Sequence, residues 1–324
     1  MSKTVFTGPL RKKINEYMEF KKSLGFTMRN TAYVYAEFDR YLAGDHSRVN
    51  VITREMVIKY LSTTIRLHST SRAYRVTLLR GFCRYLYQKD PRNYIPEPKL
   101  LPAGKHRVKP HIYSPTEIAR IIKTLQQMQC RKMLTATNVT GVALLATTGI
   151  RIGELCRLNL EDVDLKDGVL SIKRSKFFKS RMVPISRSTA KALLRYKLKR
   201  LGHFRTTDPK APFFVGMTGN RVIENGVSGT FRGVLRTLGI KTQMGTRPRL
   251  HDLRHTFATR CLERVYRSGK DPEAHLPMLA TYMGHVNLDY TQTYLHPSLK
   301  LLRVAGSRFH AYSTSQQPGV YNEK

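Results

Sequence analysis

Apolar side chains in the first hundred residues recur every three or four positions in four separate stretches. This spacing places side chains on one face of an α-helix. The residues that carry it are Leu10, Ile14, Tyr17, Met18 and Leu24, then Tyr33, Tyr35, Phe38, Tyr41 and Leu42, then Met56, Val57, Tyr60 and Leu61, and finally Tyr74, Leu78, Phe82, Tyr85 and Leu86 within residues 69–88. The pattern predicts a small bundle of four helices.

A proline-rich and then basic stretch follows this predicted bundle. It contains Pro91, Pro96, Pro98 and Pro102, followed by Lys105, Arg107 and Lys109. Proline favours extended chain, so the stretch predicts a linker, and its positive charge would suit a course along a phosphate backbone. A new domain is then predicted at Ser114-Pro115-Thr116-Glu117, because an N-cap serine, a proline at the first helical position and a glutamate at the third mark a helix start.

The second part of the chain mixes helical and strand patterns. A buried helix is predicted over Val139–Thr148, two strands of a hairpin over 168–172 and 181–185, and mainly helix from Ser188 onward. We therefore expect a mainly α fold with a small β-sheet. The expected parts are a helical domain at 1–103, a basic linker at 104–112, an α+β domain at 113–312 and a polar tail at 313–324.

Charge narrows the class of partner. The 324 residues contain 57 Lys and Arg against 22 Asp and Glu, a net charge of +35, of which +12 lies in residues 1–105 and +23 in the rest. A polyanion relieves such an excess, so nucleic acid is the leading partner and an anionic membrane surface the second. There is no apolar run of membrane-span length, no apolar signal core and no metal-binding cysteine spacing. We expect a folded protein of the cytoplasm, associated with the nucleoid.

The densest polar cluster is His251-Asp252-Leu253-Arg254-His255. On a helix, His251 and Arg254 share a face, where an imidazole and a guanidinium could hold one phosphate. His251 and His255 also have the spacing of a zinc protease motif, but position 252 is aspartate and no third ligand is evident, so a metal site is disfavoured. A surface helix with a solvated arginine is the plainer alternative.

Two further clusters could carry chemistry. Gly149 and Gly153 flank Arg151 after an apolar helix, which would aim one guanidinium out of the core; a helix end with a solvent-facing arginine is the alternative. Downstream, Met283-Gly284-His285 is followed by Tyr290 and Tyr294, and either tyrosine could be a nucleophile by position. Ionising a phenol at pH 7 costs about 4 kcal/mol unless cations lie nearby, and most tyrosines are packing residues.

Together these segments resemble the catalytic domain of the tyrosine recombinases, the phage-integrase and Xer-like enzymes, over residues 110–300. The segments that carry the resemblance are Thr148–Leu155, His251–Thr259 and Met283–His285, with Tyr294 nine residues later. The resemblance implies a site-specific recombinase that cleaves and rejoins double-stranded DNA through a 3′-phosphotyrosyl intermediate and Holliday-junction strand exchange. It implies no ATP, metal or other cofactor.

The resemblance also implies residue roles. Arg151 and Arg254 would hold the scissile phosphate, where negative charge grows in the transition state. His251 and His285 would hydrogen-bond the phosphate and help to move protons. Tyr294 would attack phosphorus.

The general acid of the family is a lysine on the hairpin turn. Counting back from Arg181 places Lys176 in register, although the turn is about one residue longer than in close relatives, and Lys173 and Lys179 are rivals. Glu154 matches the acidic residue of the first motif. It would either orient the basic side chains or make a purely structural pair.

The N-terminal part is similar to the SAM-like core-binding domain that clamps DNA in this family, but it contains no specific motif. Candidate DNA contacts are Arg72, Arg75, Arg80, Lys105, Arg107 and Lys109. The first three could equally form a solvated helix face. The family relation implies a tetrameric synapse on DNA, built from one chain or with related recombinases, and no membrane partner. The apolar segment after Tyr294 would dock on a neighbouring protomer or on its own domain.

Other interpretations stay open. A type IB topoisomerase would use nearly the same residues to nick and reseal DNA without exchanging strands. A non-catalytic DNA-binding protein would share the charge but lack part of the constellation, and an RNA-binding protein would explain the charge alone. The polar stretch Tyr266–Pro277 looks extended relative to Xer recombinases and is reminiscent of recombinases carried on transposons.

Overall fold

The computed structural model describes residues 5–26, 28, 31–45, 48–101, 109–128, 132–173 and 180–284. The chain divides into two compact units, Met1–Val108 and Lys109–Lys324. Helices dominate both units, and a three-stranded sheet lies in the second. The expectation of a mainly α fold with a small β-sheet is confirmed.

Within its described residues, the first unit is built from four helices whose apolar faces share one core. They are α1 Arg11–Ser23, α2 Ala32–Asp45, α3 Arg54–Thr63 and α4 Ser69–Lys89. Asp39 of α2 is fully buried and accepts hydrogen bonds from the backbone N–H groups of Gly8 and Leu10 at 2.8 and 2.7 Å, which ties the start of α1 to α2. Thr53 caps α3 by accepting from the N–H of Met56.

The second unit packs seven helices and a small antiparallel sheet in the part of it that the structure describes. The helices are α5 Pro115–Gln127, α6 Lys132–Thr148, α7 Ile152–Arg157, α8 Arg187–Phe204, α9 Glu224–Thr237, α10 Asp252–Arg267 and α11 Pro272–Met283. The strands are β1 Val163–Asp164, β2 Val169–Ile172 and β3 Arg181–Pro184, in the order β1-β2-β3. Ile172 pairs with Arg181, so β2 and β3 form the predicted hairpin.

Helix α5 begins where the sequence predicts. The Ser114 hydroxyl accepts from the N–H of Glu117 at 3.0 Å, and the Glu117 carboxylate accepts from the N–H of Ser114 at 2.6 Å. Pro115 occupies the first turn, where no backbone donor is needed. Ile121 and Leu125 are then buried one turn apart.

Helix α6 begins earlier than the predicted start at Val139. Its first turns mix apolar and polar residues, and Thr137 among them is buried, with its hydroxyl 2.8 Å from the Tyr196 hydroxyl and donating to the Val215 carbonyl at 2.8 Å. A buried threonine that is satisfied in this way is invisible to a pattern based on hydrophobicity. Strand β1 was not predicted from the sequence either, because two residues are too few to show an alternating pattern.

Helix α10 packs against both α6 and α11. Ala258 and Leu262 of α10 share a buried cluster with Leu276, Leu279 and Met283 of α11. Among the described residues, no helix is both long and apolar enough to cross a membrane.

Candidate active site

Arg151 is presented by a sharp turn between α6 and α7. Gly149 has φ of +64°, and a Cβ at this position would lie 2.5 Å from Cδ1 of Phe257, so both the backbone angle and the available space require glycine. Arg151 follows in extended backbone as the N-cap of α7. Its backbone N–H donates to Oε2 of Glu154 at 2.9 Å, which fixes the first turn of the helix.

Glu154 is a buried carboxylate that receives two arginines. Arg151 Nη1 donates to Oε1 at 2.8 Å, while Arg181 donates from Nη1 to Oε1 at 3.0 Å and from Nη2 to Oε2 at 2.8 Å. Burial alone would raise the pKa of Glu154, but the hydrogen bonds and charge of Arg181, and then those of Arg151, lower it to about 2. Glu154 is therefore ionised throughout the physiological pH range and orients both guanidinium groups.

Arg254 projects from the first turn of α10 into the interior and is only 3% exposed. Its Nη1 donates to the carbonyl of Gly149 at 2.7 Å, and its Nη2 donates to the carbonyl of Met283 at 2.7 Å. Arg254 thus joins the turn after α6 to the end of α11.

The two candidate arginines meet at the C-terminal end of α11. Arg151 Nη2 donates to the carbonyl of Gly284 at 2.9 Å, next to the Met283 carbonyl that Arg254 holds. The last carbonyls of a helix lack partners within it and carry partial negative charge, so guanidinium donors suit them. The structure therefore brings Arg151, Arg254 and the backbone immediately before His285 together.

His251 lies at the start of α10, beside Arg254. Both side chains line a small pocket whose apolar walls are Leu145, Ile150, Ile152 and Leu250. The residue is exposed at the surface, but partial burial of its ring, and then the charges of Arg254 and Arg249, lower the pKa of His251 below its ordinary 6.5. His251 is therefore neutral at pH 7, with a ring nitrogen able to accept a hydrogen bond or a proton.

His255 packs against His251 one turn further along α10. Its ring lies edge-to-face with that of His251, with ring centroids 5.2 Å apart. Burial, and next the neighbouring His251, lower the pKa of His255 to about 4. In the described ranges, no group of three or more histidine, cysteine, aspartate or glutamate side chains is placed to hold a metal ion.

Of the three candidate lysines, the structure describes Lys173. Its Nζ lies 2.7 Å from Oε1 of Glu161 and 2.8 Å from Oδ1 of Asp162, and the side chain is 53% exposed. Hydrogen bonds to Asp162 and then to Glu161 raise the pKa of Lys173. Both carboxylates therefore favour the charged, ion-paired state of Lys173 at the base of the hairpin.

Several predicted site residues lie outside the described residues. They are Lys105, Arg107, Lys176, Lys179, His285, Tyr290 and Tyr294. Lys109 is described and exposed.

The candidate DNA contacts on α4 divide into two kinds. Arg72 and Arg80 are half-buried, whereas the Arg75 side chain is 8% exposed and its Nη2 lies 2.8 Å from Oε2 of Glu37 on α2. Arg75 thus faces the interior of the first unit, which disfavours both the solvated face and the phosphate contact expected for it. The reason is that α4 turns this position towards the same core as Leu79 and Phe82.

Arg181 also belongs to this cluster. In the sequence it served only as the position from which Lys176 was located by counting back. Besides its two bonds to Glu154, its Nε donates to the carbonyl of Tyr282 at 2.8 Å. Side chains alternate along a strand, so Arg181 shares a face with the buried Val183. That alternation was a local signal that Arg181 points inward.

Comparisons with known proteins cover most of the chain. The sequence profile described as "Phage integrase family" matches residues 113–300. A putative integrase/recombinase, y4rB, of Sinorhizobium fredii strain NGR234 is 35% identical over 303 residues, which cover 92% of this chain and 96% of that protein. The tyrosine recombinase XerC of Thermodesulfovibrio yellowstonii is 27% identical over 252 residues, covering 76% of this chain and 78% of that protein.

A solved structure shows the same fold. The XerH site-specific recombinase, bound to its palindromic difH substrate in a post-cleavage complex, has a TM-score of 0.65 to this chain at 18% identity. The match covers 96% of this chain and 92% of that chain. At this identity the likeness concerns the fold alone.

Proposed function

The chain belongs to the phage integrase family and is a tyrosine recombinase, and from this premise we propose that it cleaves and rejoins double-stranded DNA at specific sites. In this proposal the reaction proceeds through a 3′-phosphotyrosyl intermediate, and strands are exchanged through a Holliday junction. Rejoining requires no ATP, because the ester to tyrosine conserves the energy of the broken phosphodiester bond, and the proposed reaction includes no metal or other cofactor.

The convergence of Arg151 and Arg254 on the end of α11 carries this proposal. Two cations from different helices hold adjacent carbonyls, directly before His285. Arg151 is 28% exposed, and a guanidinium has five N–H groups, so anchoring through Glu154 and Gly284 leaves it donors for a ligand. Cations that are fixed before the reaction stabilise a pentacoordinate phosphorane more than the ground state.

The cleavage step assigns a role to each remaining residue. The phenolic oxygen of Tyr294 attacks phosphorus and loses its proton, while the bond from phosphorus to the 5′-oxygen breaks. Lys176 donates a proton to the leaving 5′-oxygen. His251 and His285 hydrogen-bond the phosphate and help to move protons. The free 5′-hydroxyl of another strand then reverses the step and releases tyrosine.

Lys176 remains the proposed general acid, with Lys179 as its rival. Lys173 is held by Glu161 and Asp162 on the β1 side of the hairpin, which disfavours it for proton transfer to DNA. A general acid should have a pKa near the working pH, whereas the two carboxylates raise that of Lys173.

The proposed organisation follows the family. The helical domain at 1–103 would clamp DNA opposite the catalytic domain at 113–312, with the linker at 104–112 along the backbone, and the net charge of +35 suits a DNA partner. Arg72, Arg80, Lys105, Arg107 and Lys109 stay candidate contacts. We further propose a tetrameric synapse on DNA, of this chain or with related recombinases, in the nucleoid of the cytoplasm.

A covalent-adduct assay tests this function. Short nicked duplexes that tile the DNA on both sides of the gene for this chain serve as substrates, because a nick next to the cleavage point traps the tyrosyl ester. We expect an adduct that survives denaturation, its loss in Tyr294→Phe with DNA binding retained, and its persistence in the matched control Tyr290→Phe. An adduct that persists in Tyr294→Phe would contradict the nucleophile assignment.

A second assay separates recombination from nicking and resealing. Two duplexes that carry the selected site, each with a different label, are incubated with the protein. We expect products that contain one arm of each duplex. Relaxation of supercoiled plasmid without any joined product would indicate the topoisomerase alternative instead.

A further inference from the structure

Arg181 links three parts of the second unit that the proposed reaction needs. It is the first residue of β3, and Lys176 lies between β2 and β3 in the sequence. Its Nη atoms hold both oxygens of Glu154, and its Nε holds the carbonyl of Tyr282. The hairpin, the start of α7 and the end of α11 therefore meet at one guanidinium.

We propose that Arg181 is a positioning residue for strand cleavage. It fixes Arg151 through the carboxylate of Glu154 that the two arginines share, and it fixes the backbone before His285 through the carbonyl of Tyr282. This inference rests on the proposed function and deepens it by adding a residue that acts through the catalytic groups.

Three consecutive carbonyls at the end of α11 are each held by a different arginine. Arg181 holds that of Tyr282, Arg254 that of Met283 and Arg151 that of Gly284, at 2.8, 2.7 and 2.9 Å. The arginines come from β3, α10 and α7. The end of α11 is therefore held from three sides as far as Gly284, the residue before His285 in the sequence.

Gly284 shows how closely Arg181 packs against this end. It has φ of +66°, and a Cβ on it would lie 2.8 Å from Nη1 of Arg181. The guanidinium therefore occupies the space that a side chain at position 284 would need. A displacement of Arg181 would therefore change a direct contact with Gly284, the residue before His285 in the sequence.

Only arginine can make this set of contacts. A planar guanidinium binds both oxygens of a carboxylate through its Nη atoms while Nε points to a third acceptor, whereas a lysine ammonium is a single compact group. The Arg181 side chain is 10% exposed, and its bonds run to Glu154 and Tyr282. All three nitrogens of its guanidinium are engaged by these two partners, so Arg181 acts through its neighbours.

The test measures cleavage and DNA binding separately. Single-turnover adduct formation and DNA affinity are compared for wild type, Arg181→Lys and Arg181→Gln, on the nicked duplex that gives the wild-type adduct. We expect adduct formation to slow about 10- to 100-fold, the effect of misplacing reacting groups by about 1 Å, while DNA affinity is unchanged. The pH profile of Arg181→Gln should also gain an acid limb, because the pKa of Glu154 rises when Arg181 is lost.

Arg200→Lys is the matched control. Arg200 is also buried and donates to two backbone carbonyls, of Pro212 at 3.0 Å and Thr206 at 3.1 Å. Its contacts do not include Glu154 or α11 among the described residues. We expect Arg200→Lys to lower the thermal unfolding temperature while adduct formation stays near the wild-type rate below that temperature.

Removing Arg181 alone leaves a buried carboxylate with one cation fewer, which could prevent folding. The double variant Glu154→Gln with Arg181→Gln removes both charges and keeps the experiment decisive. We expect the double variant to fold. Its adduct formation should be about as slow as that of the slower of the two single variants, Arg181→Gln and Glu154→Gln, because both substitutions break the same network.

Distinct results would overturn the two proposals. If the wild type forms the adduct and Arg181→Gln or the folded double variant forms it at an unimpaired rate, the positioning role is refuted and the proposed function is not. A loss of DNA affinity equal to the loss of rate would make Arg181 a DNA contact and would also refute it. A wild-type protein that forms no adduct would refute the proposed function, and the positioning role with it.

Discussion

Each unit of the molecule buries an arginine against a glutamate, but the two pairs are connected differently. In the first unit, Arg75 meets Glu37 through one contact of 2.8 Å, and the Glu37 side chain is 38% exposed. In the second unit, Glu154 is 1% exposed and receives Arg151 and Arg181 together. The second network continues to backbone carbonyls at the end of α11.

The difference separates an ion pair that packs a bundle from one that positions chemistry. Arg75 also lies over the ring of Tyr33, with 5.5 Å between the guanidinium carbon and the ring centroid, and the hydroxyl of Tyr60 donates to Glu37. These contacts stay within the first unit. The arginines around Glu154 instead donate to the backbone carbonyls of Tyr282 and Gly284, just before His285, so a change there should affect cleavage before it affects folding.

The substitution Arg254→Lys should have the largest effect on cleavage and so tests this comparison most severely. Lysine keeps the positive charge but loses the paired contacts to Gly149 and Met283 that fix its position for the transition state, so we expect adduct formation to fall by about 100- to 1000-fold. Arg200→Lys, measured alongside, should keep its rate. If both variants cleave equally well, the distinction between positioning and packing arginines fails.

The pH dependence of stability sharpens the comparison next. The folded-state pKa of Glu154 is about 2, below the ordinary 4.5, so its contribution is complete above pH 4.5 and is lost as the pH falls towards 2. That contribution is on the order of 3 kcal/mol. In urea unfolding, the difference between wild type and Glu154→Gln should therefore shrink as the pH falls below 4.5. A difference that stays constant over this range would show that Glu154 does not have the lowered pKa.

Glu37→Gln in the first unit should have the smallest effect. Glu37 is partly exposed, and its loss leaves Arg75 buried with a weaker partner, so we expect the free energy of unfolding to fall by about 1–2 kcal/mol. Chemical denaturation measures this change. Adduct formation at temperatures below unfolding should match wild type, and a cleavage defect without loss of stability would assign chemistry to the first unit.

The sequence predicted those parts of the fold that leave local signals. Helical spacing predicted α1 to α4, the Ser114 capping box predicted the start of α5, and alternation predicted the hairpin. The motifs around Arg151 and His251 gave the arginines that the structure brings together. Their agreement is expected, because caps and periodicity depend on neighbours within a few residues.

Other features depend on contacts that are distant in sequence. Arg181 meets Glu154 and Tyr282 across β3, α7 and α11, and no pattern within one element predicts such a meeting. Arg75 did leave a signal, because it continues the apolar stripe of Leu79 and Phe82 on α4. Counting it with the basic residues hid that position, since composition does not show which way a side chain faces.

Mapping the covalent adduct tests the central claim most directly. The trapped complex is digested with protease, and the peptide that carries DNA is identified by mass spectrometry. The account predicts one attachment, through the phenolic oxygen of Tyr294 to a 3′-phosphate, with a free 5′-hydroxyl on the released strand. Attachment at Tyr290 or at another residue, or a link to a 5′-phosphate, would contradict it.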